Sequence, residues 1–160
     1  MAYSKILRRL REEKTKYKKR GTMLMGKREF ITINISNENT VVQILKPEIK
    51  GDKVVASAHS RYLLEKGWKG SRKSVPAAYL TGYMAGKKAL GKGSSGAILY
   101  TGTRKFTQRM AAALKGVIDA GLEVPASSES FPPQERINGD HLTVKNDISL
   151  IKSSIDKEVK

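Results

Sequence analysis

The segment Arg28-Glu29-Phe30-Ile31-Thr32-Ile33-Asn34-Ile35-Ser36 alternates with a period of two. An extended strand puts Ile31, Ile33 and Ile35 on one side and Thr32, Asn34 and Ser36 on the other. One side is apolar enough for a core. The other is too polar to be a second core layer, so the sheet must be covered on a single face. Asn37-Glu38-Asn39 is a turn signal. Thr40 to Leu45 is a second strand with Val41, Val42, Ile44 and Leu45, and Pro47 to Asp52 turns again with the help of Gly51. Lys53 to His59 is a third strand, with Val54, Ala56 and Ala58 on one face and Val55, Ser57 and His59 on the other. Three consecutive strands with short turns make an antiparallel meander.

What covers the apolar face comes later in the chain. A helix is expected from about Pro76 to Leu90, with Ser74 as a nearby cap and a core stripe of Ala77, Leu80, Tyr83 or Met84, and Ala85. Ala97 to Tyr100 reads as a short buried strand. Thr107 to Ala120 reads as a helix with Met110, Ala113, Leu114, Val117 and Ile118 at helical spacing, stopped by Gly121. The order β-β-β-α-β-α implies an α+β domain, its meander extended to a mixed sheet with helices packed on one face. Residues 28–125 form this core domain. Residues 1–27 form a basic N-terminal arm, and residues 126–160 a C-terminal extension. The extension is turn-rich up to Gly139, which suggests an extended surface tail, and ends in an amphipathic helix carrying Ile148, Ile151, Ile155 and Val159. The Gly- and Lys-rich loop from Glu65 to Ser74 holds Trp68. A Trp there can stack on a base, but more often it folds back onto a core edge.

Charge indicates the kind of partner. Lys and Arg total 31 against 15 Asp and Glu, a net +16. Such an excess repels itself in the compact state and usually serves a polyanion. The arm concentrates it in Lys5, Arg8, Arg9, Arg11, Lys14, Lys16, Lys18, Lys19 and Arg20, opposed only by Glu12 and Glu13. Its apolar residues Ile6, Leu7 and Leu10 cover little more than one turn. Cations on nearly every side leave no broad apolar face for a membrane surface. The arm therefore reads as a short helix or arm that orders on binding nucleic-acid phosphates, with Gly21 and Gly26 loosening its exit. Tyr17, among the cations with no core to join, suits RNA contact. Thr32, Asn34, Ser36 and His59 offer a second polar surface, short enough to approach an RNA minor groove and its 2′-hydroxyls.

The alternatives fare poorly. The absence of cysteine removes disulfides, thiol catalysis and zinc knuckles. Gly86 to Gly93 has most of a phosphate-cradling loop, but it lacks the hydroxyl residue after the lysine, and its first half lies inside a predicted helix. His59 and His141 have no acidic orienter nearby in sequence, and the acidic residues form no paired set. Neither an enzyme nor a cofactor is expected. No recognition helix for duplex DNA is evident.

Several segments carry a resemblance. They are Arg8-Arg9-Leu10-Arg11-Glu12-Glu13-Lys14-Thr15-Lys16-Tyr17, Ser36-Asn37 followed by Gln43, and Ala56-Ser57-Ala58-His59-Ser60. Gly67-Trp68 and Pro76-Ala77-Ala78-Tyr79-Leu80-Thr81-Gly82 follow in order. Ala112 to Leu122, Val124-Pro125, Phe131-Pro132 and Arg136 to His141 complete the set. Together they resemble large-subunit ribosomal protein eighteen in its archaeal and eukaryotic form. Lys16 stands where that family usually has Asp. The resemblance implies a non-catalytic protein of the cytoplasmic large ribosomal subunit, monomeric there and without a cofactor or a membrane. It implies binding to 5S rRNA through the arm and the exposed sheet face, and docking of that RNA in the central protuberance. The implied neighbours are 23S rRNA, large-subunit ribosomal protein five and other central-protuberance proteins. The expected RNA contacts on the arm are Arg8, Arg9, Arg11, Lys14, Lys16, Tyr17, Lys18, Lys19 and Arg20, with Lys27 and Arg28 after it. On the strands and their turns they are Thr32, Asn34, Ser36, Asn37, Gln43, Ser57, His59 and Ser60. In the Gly-rich loop they are Lys69, Arg72 and Lys73.

Overall fold

The computed structural model of the chain describes residue 6 and residues 8–158, so Lys5, Leu7 and Val159 lie outside the described residues. The meander forms as the alternation requires: β1 (Glu29–Ile35), β2 (Thr40–Glu48) and β3 (Gly51–His59) pair antiparallel in turn. β4 (Ala97–Leu99) then pairs parallel to β1, giving the order β3-β2-β1-β4 among the described residues. Ile31, Ile33, Val42, Ile44, Ala56 and Ala58 are buried on one face. That face is covered by α3 (Val75–Leu90), which packs on β2 and β3, and by α4 (Gln108–Asp119), which packs on α3 and reaches β1. Ser74 and Thr107 cap these helices, accepting from the backbone N–H of Ala77 and Met110. Each satisfies one of the donors a helix start leaves open.

The α3 stripe is wider than its periodicity suggested. Every residue from Pro76 to Gly86 is buried, because the sheet lies on one side of the helix and α4 and α6 on others. α3 and α4 meet backbone to backbone. A Cβ at Gly82 would overlap the Ala113 carbonyl oxygen, and one at Gly116 would overlap that of Tyr79. A Cβ at Gly86 would lie 2.7 Å from that of Ala120. Glycine at these positions permits a spacing that any side chain would widen.

Three expectations require correction. The second turn is shorter than Pro47 to Asp52, because β2 continues through Pro47 to Glu48 and pairs with β3 as a two-stranded ribbon. The β1 pairing ends at Leu45, so Pro47 lies in the part of β2 that pairs with β3 alone, where one side of the strand is an edge. Val54 is not on the core face. Ile44 pairs with Ala56 but Leu45 pairs with Val54, so Val55 is an extra residue that flips the alternation. Val54 is consequently 48% exposed. The C-terminal extension is also not a surface tail throughout. α5 (Gln134–Asn138) buries Ile137 completely, and Phe131 packs against the core beside it. Gly139 then ends α5 at φ +80°, a left-handed cap.

The final helix, α6 (Ile148–Glu158), buries Ile151 and Ile155 against the core, as its spacing predicts. Its polar side is joined to α3. Tyr83 Oη donates to Asp156 at 3.0 Å, Lys87 Nζ pairs with Asp156 at 3.1 Å, and the Lys152 ammonium sits 4.7 Å from the Tyr79 ring centre and 5.2 Å from that of Tyr83. Trp68 folds into the core at 3% exposure, which decides between its two readings.

Candidate nucleic-acid interface

The register organises the open face of the sheet into rows. Thr32, Gln43 and Ser57 are direct cross-strand partners, as are Asn34, Val41 and His59. Side chains in one such row share a face, which places Gln43 beside Thr32. The third row, Phe30, Leu45 and Val54, is apolar. Phe30 is fully buried on the side away from the helices, so something covers it there.

The cover comes from the arm. It folds as α1 (Arg8–Arg11) and α2 (Tyr17–Met25), joined by a turn in which Glu13 takes φ +50°. The Arg20 guanidinium lies 5.6 Å from the Phe30 ring centre and 5.5 Å from that of Tyr100, and the two rings are themselves 5.7 Å apart. Arg20 Nη2 donates to Asp52 Oδ1 at 2.5 Å. The Asp52 bond, working against partial burial, holds the guanidinium above its ordinary pKa. The second half of the arm is therefore docked on the sheet. Gly21, expected to loosen its exit, lies inside α2, and Gly26 caps it.

Between the docked arm and the polar rows runs an open groove. Arg9, Lys14, Tyr17 and Arg20 line it on the arm side and Thr32, Asn34 and Gln43 on the sheet side. Within the arm, Glu12 accepts from Arg8 and pairs with Lys14, both at 2.7 Å, and these cations hold its carboxyl below the ordinary range. Arg9 Nε donates to Thr15 Oγ1 at 3.0 Å. Arg11, Lys16, Lys18 and Lys19 are exposed around the same arm.

The remaining predicted contacts fall elsewhere. Ser60 is fully buried: its Oγ accepts from Thr40 N and bonds Asn39 Oδ1, so it presents no surface and serves the turn instead. Ser36 Oγ accepts from Asn39 N at 2.9 Å and shapes the β1–β2 turn, on which Asn37 is exposed. His59 Nδ1 accepts from Arg61 N, which puts the ring proton on Nε2. His59 and Arg72 line a separate hollow, where Arg72 lies 3.7 Å from Glu38. Lys69 and Lys73 are exposed on the loop beyond it, while Lys27 and Arg28 border a third cleft at the opposite end of β1.

Comparison with known proteins decides the family. The family described as ribosomal large subunit proteins 60S L5 and 50S L18 matches residues 2–108. Large ribosomal subunit protein uL18 of Aeropyrum pernix is 46% identical over 143 residues, covering 88% of this chain and 67% of that protein. The uL18 of Thermofilum pendens is 39% identical over 154 residues, 95% of this chain and 78% of that one. The uL18 of Korarchaeum cryptofilum is 42% identical over 142 residues, with coverages of 88% and 73%. The chain belongs to the uL18 family. Membership makes it a structural constituent of the large ribosomal subunit in the cytoplasmic ribosome, and not an enzyme.

For this uL18-family chain, sequence reasoning missed Asp52, Tyr100 and Arg104, which also line the groove. Tyr100 follows the three-residue β4, whose parallel pairing with β1 sets it near Phe30. The extra charge of Thr101-Gly102-Thr103-Arg104-Lys105 was the visible signal, but no local pattern tied it to the arm. Among the described residues, no group of His, Asp and Glu side chains is arranged to hold a metal ion. No described helix is long and apolar enough to cross a membrane.

Proposed function

We propose that this chain binds 5S rRNA in the groove between its arm and the open sheet face, and helps attach that RNA to the large subunit in the central protuberance. The observation that carries the reading is the groove itself. It sets cations (Arg9, Lys14 and Arg104) beside short polar groups (Thr32, Asn34 and Gln43) on one surface. An RNA helix presents a wide, shallow minor groove flanked by phosphates, with 2′-hydroxyls inside. Cations at the rim meet the phosphates, while amides and hydroxyls in the floor meet the 2′-hydroxyls and base edges. A DNA duplex offers neither the width nor the hydroxyls. 23S rRNA, large-subunit ribosomal protein five and other central-protuberance proteins are the neighbours this location implies, around a single copy of the chain.

The test compares binding of 5S rRNA with binding of duplex DNA of equal length, alongside co-sedimentation with the large subunit. The reading expects tighter RNA binding that is weakened by Arg9→Ser with Lys14→Ser. Equal affinity for both duplexes, or no effect of that pair, overturns it.

A further inference from the structure

The two edges of the sheet are finished differently. β4 is three residues long, and Glu123 covers its start: Ala97 N donates to Glu123 O at 2.9 Å, and Glu123 N to Ser95 O at 3.1 Å. β3 is nine residues long and has a strand, β2, on one side alone. Among the described residues, no backbone group outside the sheet bonds it. An edge strand offers N–H and C=O groups along its length, which another extended peptide can match.

This edge opens on a cleft. Val54 to Ser57 form one wall, Lys88 of α3 and Lys92 just beyond it form the other, and Glu158 at the end of α6 stands beside them. The exposed Lys92 reaches across, and its Nζ donates to Val55 O at 2.6 Å. That carbonyl, on the extra residue of the bulge, takes a side-chain donor where a further strand would supply an N–H. A lysine and a bulge commonly guard a free edge. Here the guard selects by charge. A neutral strand must displace the ammonium and leave it without a partner, whereas a strand bearing a carboxylate gives it a new one. The exposed Lys53 and the Lys88 ammonium, 5.4 Å from the Tyr62 ring centre, add charge of the same sign. The nearby carboxylates are already engaged, Glu158 with Lys66 and Asp52 with Arg20. A second copy of the chain is a poor occupant, since two β3 edges would set lysines against lysines.

We propose that the outer edge of β3 is a strand-addition site for a protein partner that presents an acidic, extended segment. The segment pairs with β3 through main-chain hydrogen bonds. Its carboxylates meet Lys53, Lys88 and Lys92, and Lys92 leaves Val55 O to make way for a strand N–H. The cleft shares no lining residue with the arm groove, so a partner here and RNA in the groove can be held together.

The test is an NMR titration of the full chain with a blocked ten-residue peptide of alternating Thr and Glu, observing backbone amides. Two counterparts carry Gln or Lys in place of Glu. A third keeps Glu but is N-methylated throughout, which removes its main-chain donors and leaves its charge. The acidic peptide is expected to shift the amides of Lys53 to Ser57 and to slow the exchange of those that face outward. The Gln peptide should bind more weakly, and the Lys peptide more weakly still. Lys92→Gln should narrow the preference for Glu over Gln by up to about five-fold, as for a strong exposed ion pair. Lys92 is exposed, so its replacement leaves the core intact and the variant folds. The response should persist in Arg9→Ser with Lys14→Ser, which separates it from RNA binding in the groove. Silent β3 amides overturn the proposal, and so does an unchanged preference in Lys92→Gln. Equal binding of the N-methylated peptide overturns it by reducing the contact to charge. A ten-nucleotide single-stranded RNA that shifts the same amides at lower concentration than the acidic peptide overturns it too.

Discussion

Arg20 of the arm reaches across to Asp52 of β3, bonding it at 2.5 Å while its guanidinium covers Phe30 and Tyr100. The relation joins residues 32 positions apart and turns a loose basic segment into one wall of a groove. Both side chains are about three-quarters buried, at 25% and 21% exposure, so the pair is less screened than a surface one. Arg20→Ala should cost about 1–2 kcal/mol, mainly from the lost stacking and ion pair. Its larger effect should be local: hydrogen exchange across α2 should quicken while the β1–β2 amides stay protected. Arg20→Lys should rescue little, because an ammonium cannot spread over two rings as a planar guanidinium does. Uniform loss of protection over the whole domain would contradict this assignment.

Gly82 and Ala113 set the spacing of α3 and α4. Gly82→Ala places its Cβ against the Ala113 carbonyl, which belongs to a helix backbone and cannot swing away. Overpacking of this kind costs about 1–3 kcal/mol, and a clash with backbone puts the change at or above the upper end. Gly116→Ala should match it, since the same interface is opened from the other side at the Tyr79 carbonyl. Gly21→Ala is the contrast. A Cβ there meets nothing within 4 Å, and Gly21 lies inside α2, so the change should be neutral or slightly stabilising by helix propensity. Chemical denaturation of the three variants checks this order.

These two relationships mark where reading from sequence succeeds and stops. Periodicity is a local signal, so Ile31, Ile33, Ala113, Val117 and Ile151 could be placed on core faces without knowing their partners. The polar side of β1 was legible for the same reason, and with it half of the groove. A bulge breaks the period by one residue, and nothing in Val54-Val55-Ala56 announces which residue is extra. Arg20 looked like its basic neighbours, because its distinction lies wholly in what the fold sets opposite it. Ser60 was assigned to a surface by motif, yet its hydroxyl bonds Thr40 N and Asn39 inside a turn. Ile137 sat in a Pro-rich stretch whose composition outweighed one apolar residue.

Acid should loosen α6 first. Burial resists ionisation of Asp156, but hydrogen bonds from Lys87 and Tyr83 and the nearby Lys152 outweigh it and hold its carboxyl below the ordinary range. Lys66 lowers Glu158 in the same way. A carboxyl lowered in the folded state contributes stability that is fully present above its unfolded pKa of about 4 and is lost as pH falls through the folded value. The contribution therefore disappears below about pH 4, in the direction of acid. Amide exchange in α6 should rise there before that of α3 and α4. Asp156→Asn should undock the helix partly at neutral pH and flatten the acid dependence. An α6 that opens at the same pH as α3 would refute the sequence of events.

Gln43 and Ile33 test the two faces of the sheet against each other. Gln43 stands in the open row between Thr32 and Ser57, while Ile33 is 2% exposed beneath the helices. Gln43→Ala should weaken 5S rRNA binding several-fold, the worth of one neutral hydrogen bond at about 0.5–1.5 kcal/mol, and leave the melting temperature nearly unchanged. Asn37→Ala on the exposed turn should behave alike. Ile33→Ala should cost about 2–5 kcal/mol of stability, and its binding defect should vanish where the domain is still folded. The reverse pattern would mean that the face assigned to RNA is packed inside the protein, leaving the arm as the supported site.

Shortening the arm separates its electrostatic part from its structural part. Arg20 covers Phe30, so a deletion through residue 20 would remove an ion pair and uncover an apolar row as well as taking away charge. A deletion of residues 1–16 stops short of α2 and keeps Arg20 on Asp52. It removes Arg8, Arg9, Arg11, Lys14 and Lys16, of which Arg9 and Lys14 line the groove. The shortened chain should melt close to the full one, because no residue of α1 is buried. Its 5S rRNA affinity should fall strongly at low salt and much less at high salt. Every phosphate that the arm no longer neutralises should take roughly 0.7–0.9 off the slope of log affinity against log salt, so a change at about two to four phosphates is plainly visible. Deletion through residue 20 should add a drop in stability that the shorter deletion does not show. An unchanged salt slope after removal of residues 1–16 would mean that this part of the arm meets no phosphate, leaving α2 and the sheet floor to account for binding.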